Sequence, residues 1–244
     1  MISAIALREL RERYSGASGW LALAAVQLLL AWMLFAQLEI YLRIQPRLAA
    51  LSSPLGITDL VVAPTLASAA LALLLLVPLL GMGSIAGEVQ SRRLALLLSS
   101  PVRASTLVLG KWVGLLLAAL PAVLLALLMA LVLGLGSHLD LGRLAASALG
   151  LLLVTALAAT VTLWFSSLVE QPLTAAALAW GLLFLLWFLD SSGNEGLAVL
   201  SLRSHLEPFF QGRVAARALA WFSVLTAAPL ALAVHRLWRL GGGD

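Results

Sequence analysis

The chain has 244 residues, of which 62% are hydrophobic and 11% are charged, with a formal net charge of +4. Soluble domains carry about 25% charged residues, so this composition excludes an ordinary water-soluble fold. The absence of cysteine excludes disulfides and thiolate metal sites. Apolar stretches long enough to cross a bilayer recur along the chain, which predicts an all-α polytopic membrane protein. We interpret the positive charge as anchoring at an anionic membrane surface and not as nucleic-acid binding.

The first eighteen residues mix apolar and charged side chains. One face of a helix would carry Ile2, Ile5, Ala6 and Leu10. The charged residues Arg8, Glu12 and Arg13 would point elsewhere. This pattern is typical of an interfacial helix that lies on the membrane surface, while a frayed and solvated terminus is the alternative.

Six membrane spans are predicted from the apolar runs and the polar segments that separate them. Their approximate ranges are residues 19–38, 61–86, 107–135, 144–168, 173–189 and 218–234, with 39–60 as a connector. The third span begins with Gly110 and Gly114, a Gly-xxx-Gly pair that permits close helix packing. We expect Pro121 to bend that span.

The distribution of basic residues predicts the orientation. If both termini are cytoplasmic, nine of the 15 Lys and Arg residues lie on the cytoplasmic side. The loop of residues 87–111, between the second and third spans, then faces the cytoplasm as well. We therefore predict an N-in, C-in topology for the chain.

The loop of residues 87–111 is the most charged segment between two hydrophobic runs. It opens with Glu88, turns basic at Arg92 and Arg93, continues as a short leucine-rich run, and breaks at Ser100 and Pro101. Such a helix could dock in the groove of a soluble protein, with leucines supplying contact area and arginines fixing the register. The alternative is a helix that lies on the bilayer surface. The candidate docking residues are Glu88, Arg92, Arg93, Leu94, Leu96, Leu97, Ser100 and Pro101.

Several kinds of chemistry have no counterpart in the sequence. There is no Gly-x-x-x-x-Gly-Lys-Ser/Thr motif, so we do not expect the chain to hydrolyse ATP by itself. No His-Glu-x-x-His motif occurs, and His138, His205 and His235 fall in separate connectors, so no metal site is expected. Ionisable residues are absent from the middle of every predicted span, which argues against ion-coupled transport. Any substrate movement would need energy from a partner.

The loop resembles the cytoplasmic loop of ABC-2-type transporter permeases. The resemblance rests on Glu88, on the run Leu-Ala-Leu-Leu-Leu-Ser-Ser-Pro-Val-Arg that begins at Leu94, and on Gly110 followed by Lys111. Arg92 and Arg93 stand where the family pattern has Gly-Thr. The resemblance implies that residues 88–102 form a coupling helix that docks on an ATPase.

The segment of residues 200–212 is similar to the stretch before the last helix in permeases of the gliding-motility and nitrous-oxide-reductase-maturation type. This resemblance implies short helices on the outer face between the fifth and sixth spans. Leu202, Leu206, Phe209 and Phe210 would form the buried side of such a helix. The residues expected on its solvated side are Arg203, His205 and Glu207.

The sequence therefore predicts one transmembrane domain, residues 1–244, acting as the permease subunit of an ATP-driven transporter in the bacterial inner membrane. The resemblance implies two P-loop ATPase subunits that bind ATP and Mg, a second permease copy, and export of a lipidic or amphipathic substrate. Two alternatives remain: a membrane scaffold that recruits an ATPase, or a membrane enzyme whose polar residues on the outer side converge. The enzyme would use His138, Asp140, His205 and Glu207.

Overall fold

The computed structural model describes residues 1–48, 58–91, 103–134, 140–192, 196 and 199–240. Within these ranges the chain is helical and contains no β-strand. The helices of the first half are α1 (Ile2–Tyr14), α2 (Ala17–Leu48), α3 (Ala63–Gly81), α4 (Ala86–Gln90) and α5 (Ala104–Gly134). Those of the second half are α6 (Leu141–Leu168), α7 (Pro172–Phe188), α8 (Leu202–Phe210) and α9 (Ala216–Leu240). A π-helical turn, Thr58–Val62, precedes α3, and a 3-10 turn, Leu189–Ser192, follows α7.

In the part of the chain that the structure describes, five stretches are long and apolar enough to cross a membrane. They are Ala17–Gln45, Leu60–Gln90, Ala104–Leu133, Leu141–Leu168 and Ala216–Leu240. Helix α7 is equally apolar but has only 17 residues. At about 1.5 Å per residue it is close to the shortest helix that spans a hydrocarbon core.

The helices run between two ends of a bundle. We call the end that holds α1 and α4 the loop end, and the end that holds α8 the far end. Helix α7 starts shortly after α6 finishes at the loop end, and its Trp187 lines a cavity at the far end together with Phe210 of α8. Helix α7 therefore passes from one end of the bundle to the other.

The core lies between α3 and α6. Leu73, Leu74 and Val77 of α3 are at most 2% exposed, and so are Leu151 and Val154 of α6. Burying these side chains stabilises the bundle by dispersion, because lipid tails are as apolar as leucine and the hydrophobic effect between helices is weak. Helices α2 and α9 lie at the periphery with most of their side chains exposed.

Two sequence-based helix ends lie well short of those in the structure. Helix α2 continues to Leu48, into the range expected to be a connector, and an exposed Glu39–Arg43 ion pair at i, i+4 spacing supports the extension. Helix α9 continues to Leu240, beyond the predicted end at residue 234. Helix α5 is continuous through Pro121. Sequence alone places helix ends poorly where the chain leaves the apolar region.

Candidate functional site: a buried charge cluster at the loop end

Helices α1, α4 and α5 meet at the loop end, where α1 lies along the first turns of α5. A Cβ atom at Gly110 would lie 2.7 Å from the Cβ of Ile5, and one at Gly114 would lie 2.8 Å from the Cβ of Glu9. Only glycine therefore fits at these two positions without displacing α1. The close approach places the carboxylate of Glu9 over the side chain that projects from α5 at Lys111.

Lys111 is the largest fully buried polar side chain at this end, with 1% exposure. Its Nζ donates to Oε1 of Glu9 at 2.5 Å, to Oε1 of Glu88 at 2.7 Å and to the carbonyl of Ser84 at 2.7 Å. An ammonium has three donors, and here all three are used. One lysine thus joins α1, the turn after α3, and α4.

Arg13 completes the cluster from the end of α1. Its Nη2 donates to Oγ of Ser84 at 2.6 Å and lies 3.0 Å from Oε2 of Glu9, while its Nε donates to the carbonyl of Leu80 at 3.0 Å. Burial lowers the pKa of the Arg13 guanidinium, and the charge of Glu9 opposes that shift. Arg8 and Glu12 form a separate, exposed pair, and the Glu12 carboxylate raises the pKa of Arg8.

We refer to Glu9, Arg13, Glu88 and Lys111 as the charge cluster. It contains two acids and two bases, so its formal charges cancel. Burying charges costs free energy that their mutual attraction offsets only with good geometry, and removing one member leaves an uncompensated buried charge. The cluster therefore ties the position of α4 to the position of α1. A polar cavity of about 240 Å³ borders it on the side of Gly83 and Gly87.

Ser166 near the end of α6 fixes the turn that precedes α4. Its Oγ accepts hydrogen bonds from the backbone N–H groups of Ile85 at 3.1 Å and Ala86 at 2.9 Å, and donates to the carbonyl of Met82 at 2.9 Å. A hydroxyl has one donor and two acceptor positions, so its capacity is filled. The turn of residues 82–85 is therefore held against the core by a side chain, because it has no complete helical ladder of its own.

The structure places one of the predicted docking residues, Glu88, within the charge cluster. The other seven lie outside the described residues: Arg92, Arg93, Leu94, Leu96, Leu97, Ser100 and Pro101. Their docking role stays a prediction. The segment that carries these seven residues begins shortly after α4. The structure shows the contacts around that starting point.

Sequence reasoning missed Glu9, Arg13 and Ser166. It placed Arg13 away from the packed face of α1, which is wrong: the packed face carries Ala6, Glu9 and Arg13, whereas Ile2 is 39% exposed. The sequence signal that could have identified this face is the i, i+4 spacing of Glu9 and Arg13, which places both on the same side of the helix as the small residue Ala6. A search for an apolar face cannot identify the packed face of α1, because that face carries buried charged residues.

At the far end, α8 packs against α6 through its apolar face. Ser201 caps α8 by accepting a hydrogen bond from the N–H of Ser204. Arg143 Nε donates to the carbonyl of Phe210 at 2.6 Å. Gly212, with φ of 81°, ends α8 in the left-handed region that favours glycine. Helix α8 is thus amphipathic as expected and seated on the bundle.

His205 does not lie on the solvated side of α8 as the sequence predicted. It is 7% exposed, its Nδ1 lies 2.9 Å from the carbonyl of Ser201, and its ring stacks on Trp221 with centroids 4.5 Å apart. Because a carbonyl only accepts, Nδ1 carries the proton. The His205 ring is buried because it stacks on the Trp221 indole and finds a hydrogen-bond acceptor in the Ser201 carbonyl, which together replace its contacts with water.

Arg203 and Glu207 are exposed and line a cavity of about 480 Å³ at the far end. Helices α2, α3, α6, α7 and α8 enclose it, and Arg143 and Trp187 also face it. The cavity combines apolar walls with a few charged and amide groups, as small-molecule sites commonly do.

The polar residues that the enzyme alternative requires each have a different hydrogen-bond partner. Asp140 caps α6 by accepting from the N–H groups of Gly142 and Arg143, and Glu207 accepts from Gln211. In the described ranges no hydrogen bond joins Asp140, His205 and Glu207, and no group of three metal-binding side chains occurs. His138 lies outside the described residues. Asp140, His205 and Glu207 therefore do not converge in the described part of the chain.

Comparison with known families decides the assignment. Residues 3–236 match the family model described as ABC-2 family transporter protein. The chain belongs to the ABC-2 transporter family. No curated protein matches the sequence. The family assignment made from residues 88–111 is therefore confirmed, and the matched range includes every member of the charge cluster.

Membership of the ABC-2 family and five candidate spans make the chain a multi-pass membrane protein and a component of membrane transport. ABC-2 permeases are not themselves catalytic, and membership implies an ATPase partner within an ABC transporter. The charge cluster is then a structural element of a transport protein, located where the loop of residues 87–111 begins.

Proposed function

We propose that this ABC-2 protein is the permease subunit of an ATP-driven exporter in the bacterial inner membrane. It would work with two P-loop ATPase subunits, which bind ATP and Mg, and with a second permease copy. Six spans are inferred, because α7 reaches both ends of the bundle although it has only 17 residues. The basic residues favour cytoplasmic termini, which makes the loop end the cytoplasmic end.

The observation that carries this proposal is the position of the charge cluster at the start of the predicted coupling helix. Glu88 shares the Lys111 ammonium with Glu9. An ATPase that moved residues 88–102 would act on Lys111 at the start of α5 and, through Glu9, on α1. Ser166 anchors the same turn to α6. A small displacement of the loop would therefore reach three helices through short polar contacts.

The far-end cavity is a candidate for the outer part of the substrate path. Its walls include Gln37 of α2, Ala67 of α3 and Trp187 of α7, which correspond to the first, second and fifth inferred spans. Arg203 and Glu207 lie at its polar side. A cavity with apolar walls and charged groups suits an amphipathic substrate, in agreement with the uniformly apolar spans.

The test is co-purification in detergent with candidate P-loop ATPases. The wild type is compared with a variant that combines Arg93→Glu and Leu96→Asp. The proposal expects a stoichiometric ATPase with the wild type and its loss with the variant, because both the register-setting charge and the apolar contact are reversed.

A matched variant at the far end, Arg203→Glu with Leu200→Asp, changes the same residue types at exposed positions. It is expected to retain the ATPase. If the wild type holds no ATPase, or the loop variant holds it as well as the wild type does, residues 88–102 are not the docking element.

A further inference from the structure

A groove between α5 and α9 at the loop end is not part of the charge cluster. Its volume is about 750 Å³. Its apolar walls include Leu109 of α5 and Ala227, Ala231 and Val234 of α9. Helices α5 and α9 share a packed apolar cluster that includes Val108 and Ala233, and the small alanine side chains of α9 leave the groove open beside it.

The groove has one polar end and one apolar end. Arg103, His235 and Trp238 line it where α5 begins and α9 approaches its end, whereas Ala227 is the lining residue of α9 farthest along the helix from that end. From Ala227 to Trp238 the groove follows α9 for about 16 Å at 1.5 Å per residue. That is about half of a hydrocarbon core of about 30 Å. The length of the groove therefore matches the thickness of one leaflet.

The polar end has the features of a headgroup region. The rings of His235 and Trp238 stack with centroids 6.0 Å apart, and tryptophan concentrates at the membrane interface. Arg103 is exposed there, as are Arg236 and Arg239 on the last turns of α9. The residues that line the groove in the described part of the chain include no acid. The potential at this end is positive and favours an anion.

We propose that this groove binds an anionic phospholipid, with one acyl chain between α5 and α9 and the phosphate beside Arg103 and His235. Charge complementarity and a length of one leaflet select this occupant. Residues 92–102 of this chain contain no Asp or Glu, so they offer no negative charge to Arg103. Residues 241–244, Gly-Gly-Gly-Asp, have no apolar side chain to fill the groove. The inference does not depend on an ATPase partner.

The experiment is native mass spectrometry of the purified protein with equimolar phosphatidylglycerol and phosphatidylcholine of identical acyl chains. The wild type is expected to retain phosphatidylglycerol at least about fivefold more than phosphatidylcholine, the effect of about one basic residue at a membrane surface. The combination of Arg103→Gln and His235→Gln is expected to bring the ratio close to one. Ala231→Phe, which fills the apolar part, is expected to lower retention of both lipids.

Arg11→Gln is the matched control, because it removes an exposed positive charge at the same end of the bundle without lining the groove. It is expected to keep the wild-type ratio, and thermal melting of every variant shows that each is folded. Equal retention of both lipids by the wild type overturns the proposal. So does a preference that survives the Arg103 and His235 substitutions, or one that Arg11→Gln abolishes equally.

Discussion

Lys111 and Glu9 are 102 positions apart in the sequence, yet Nζ of Lys111 lies 2.5 Å from Oε1 of Glu9 in a buried ion pair. The same ammonium contacts Glu88 at 2.7 Å. The helix that opens the chain and the helix that precedes the predicted coupling segment are thus joined through one side chain. If residues 88–102 dock on an ATPase as proposed, this relationship would pass their movement to α1.

Lys111→Met is expected to lower the free energy of unfolding by about 3–5 kcal/mol, because Glu88 becomes a buried carboxylate without a cation. Adding Glu88→Gln to Lys111→Met should recover most of that loss, since the uncompensated charge is removed. The measurement is unfolding in mixed detergent micelles. Arg8→Met is the control: its pair with Glu12 is exposed, so its loss should cost less than about 1 kcal/mol. A Lys111→Met variant as stable as Arg8→Met would contradict the importance of the cluster.

Gly114→Ala is expected to destabilise the protein by about 1–3 kcal/mol, because the new methyl group would lie 2.8 Å from the Cβ of Glu9 and 3.0 Å from the carbonyl oxygen of Ala6. Gly181→Ala provides the comparison within a helix, since nothing lies within 4 Å of its Cβ. It should be neutral or stabilising, in line with the higher helix propensity of alanine. The melting temperatures of the two variants check this, and equal shifts would argue against close packing of α1 on α5.

Ser166→Ala should release the turn of residues 82–85. The N–H groups of Ile85 and Ala86 would lose a buried acceptor, at a cost of about 1–3 kcal/mol. Hydrogen–deuterium exchange should show faster exchange at these two amides. Ser223→Ala removes an exposed hydroxyl that bonds only within its own helix, and should leave exchange at the turn unchanged. Unchanged exchange in Ser166→Ala would show that other contacts hold the turn.

The proposed orientation predicts the accessibility of single cysteines. Because the chain has no native cysteine, each introduced thiol is read without background. Arg213→Cys at the far end should react with a membrane-impermeant maleimide in intact cells stripped of their outer membrane. Arg11→Cys at the loop end should react only after the inner membrane is opened. The opposite pattern would place the charge cluster outside the cytoplasm.

The fold class was predictable because a helix that crosses a bilayer must be apolar over its whole length, and the composition of long segments shows this directly. Residues 141–168 form a helix within three residues of the predicted start, since a long apolar run admits little else. The extension of α2 to Leu48 was not predictable from apolar length, because residues 39–48 include charged and polar side chains such as the Glu39–Arg43 pair.

Among the members of the charge cluster, only Glu88 was a predicted site residue, for docking, and Lys111 was noted only as part of the loop pattern. Glu9 and Arg13 joined them through long-range packing that has no local signature. His205 shows the same limit, because its burial depends on Trp221, which follows it by sixteen positions on another helix. Charged and aromatic residues whose partners come from distant segments are the ones that sequence periodicity assigns to the wrong face.

The most direct test of the central claim is site-specific photo-crosslinking in cells that express the protein with its ATPase. A photoreactive phenylalanine analogue at Leu96 is expected to form a crosslink to the ATPase. The same analogue at Val214, 53% exposed at the far end, is expected to form none. A crosslink from Val214 but not from Leu96, or from neither position in a complex that still hydrolyses ATP, would contradict docking at the loop end.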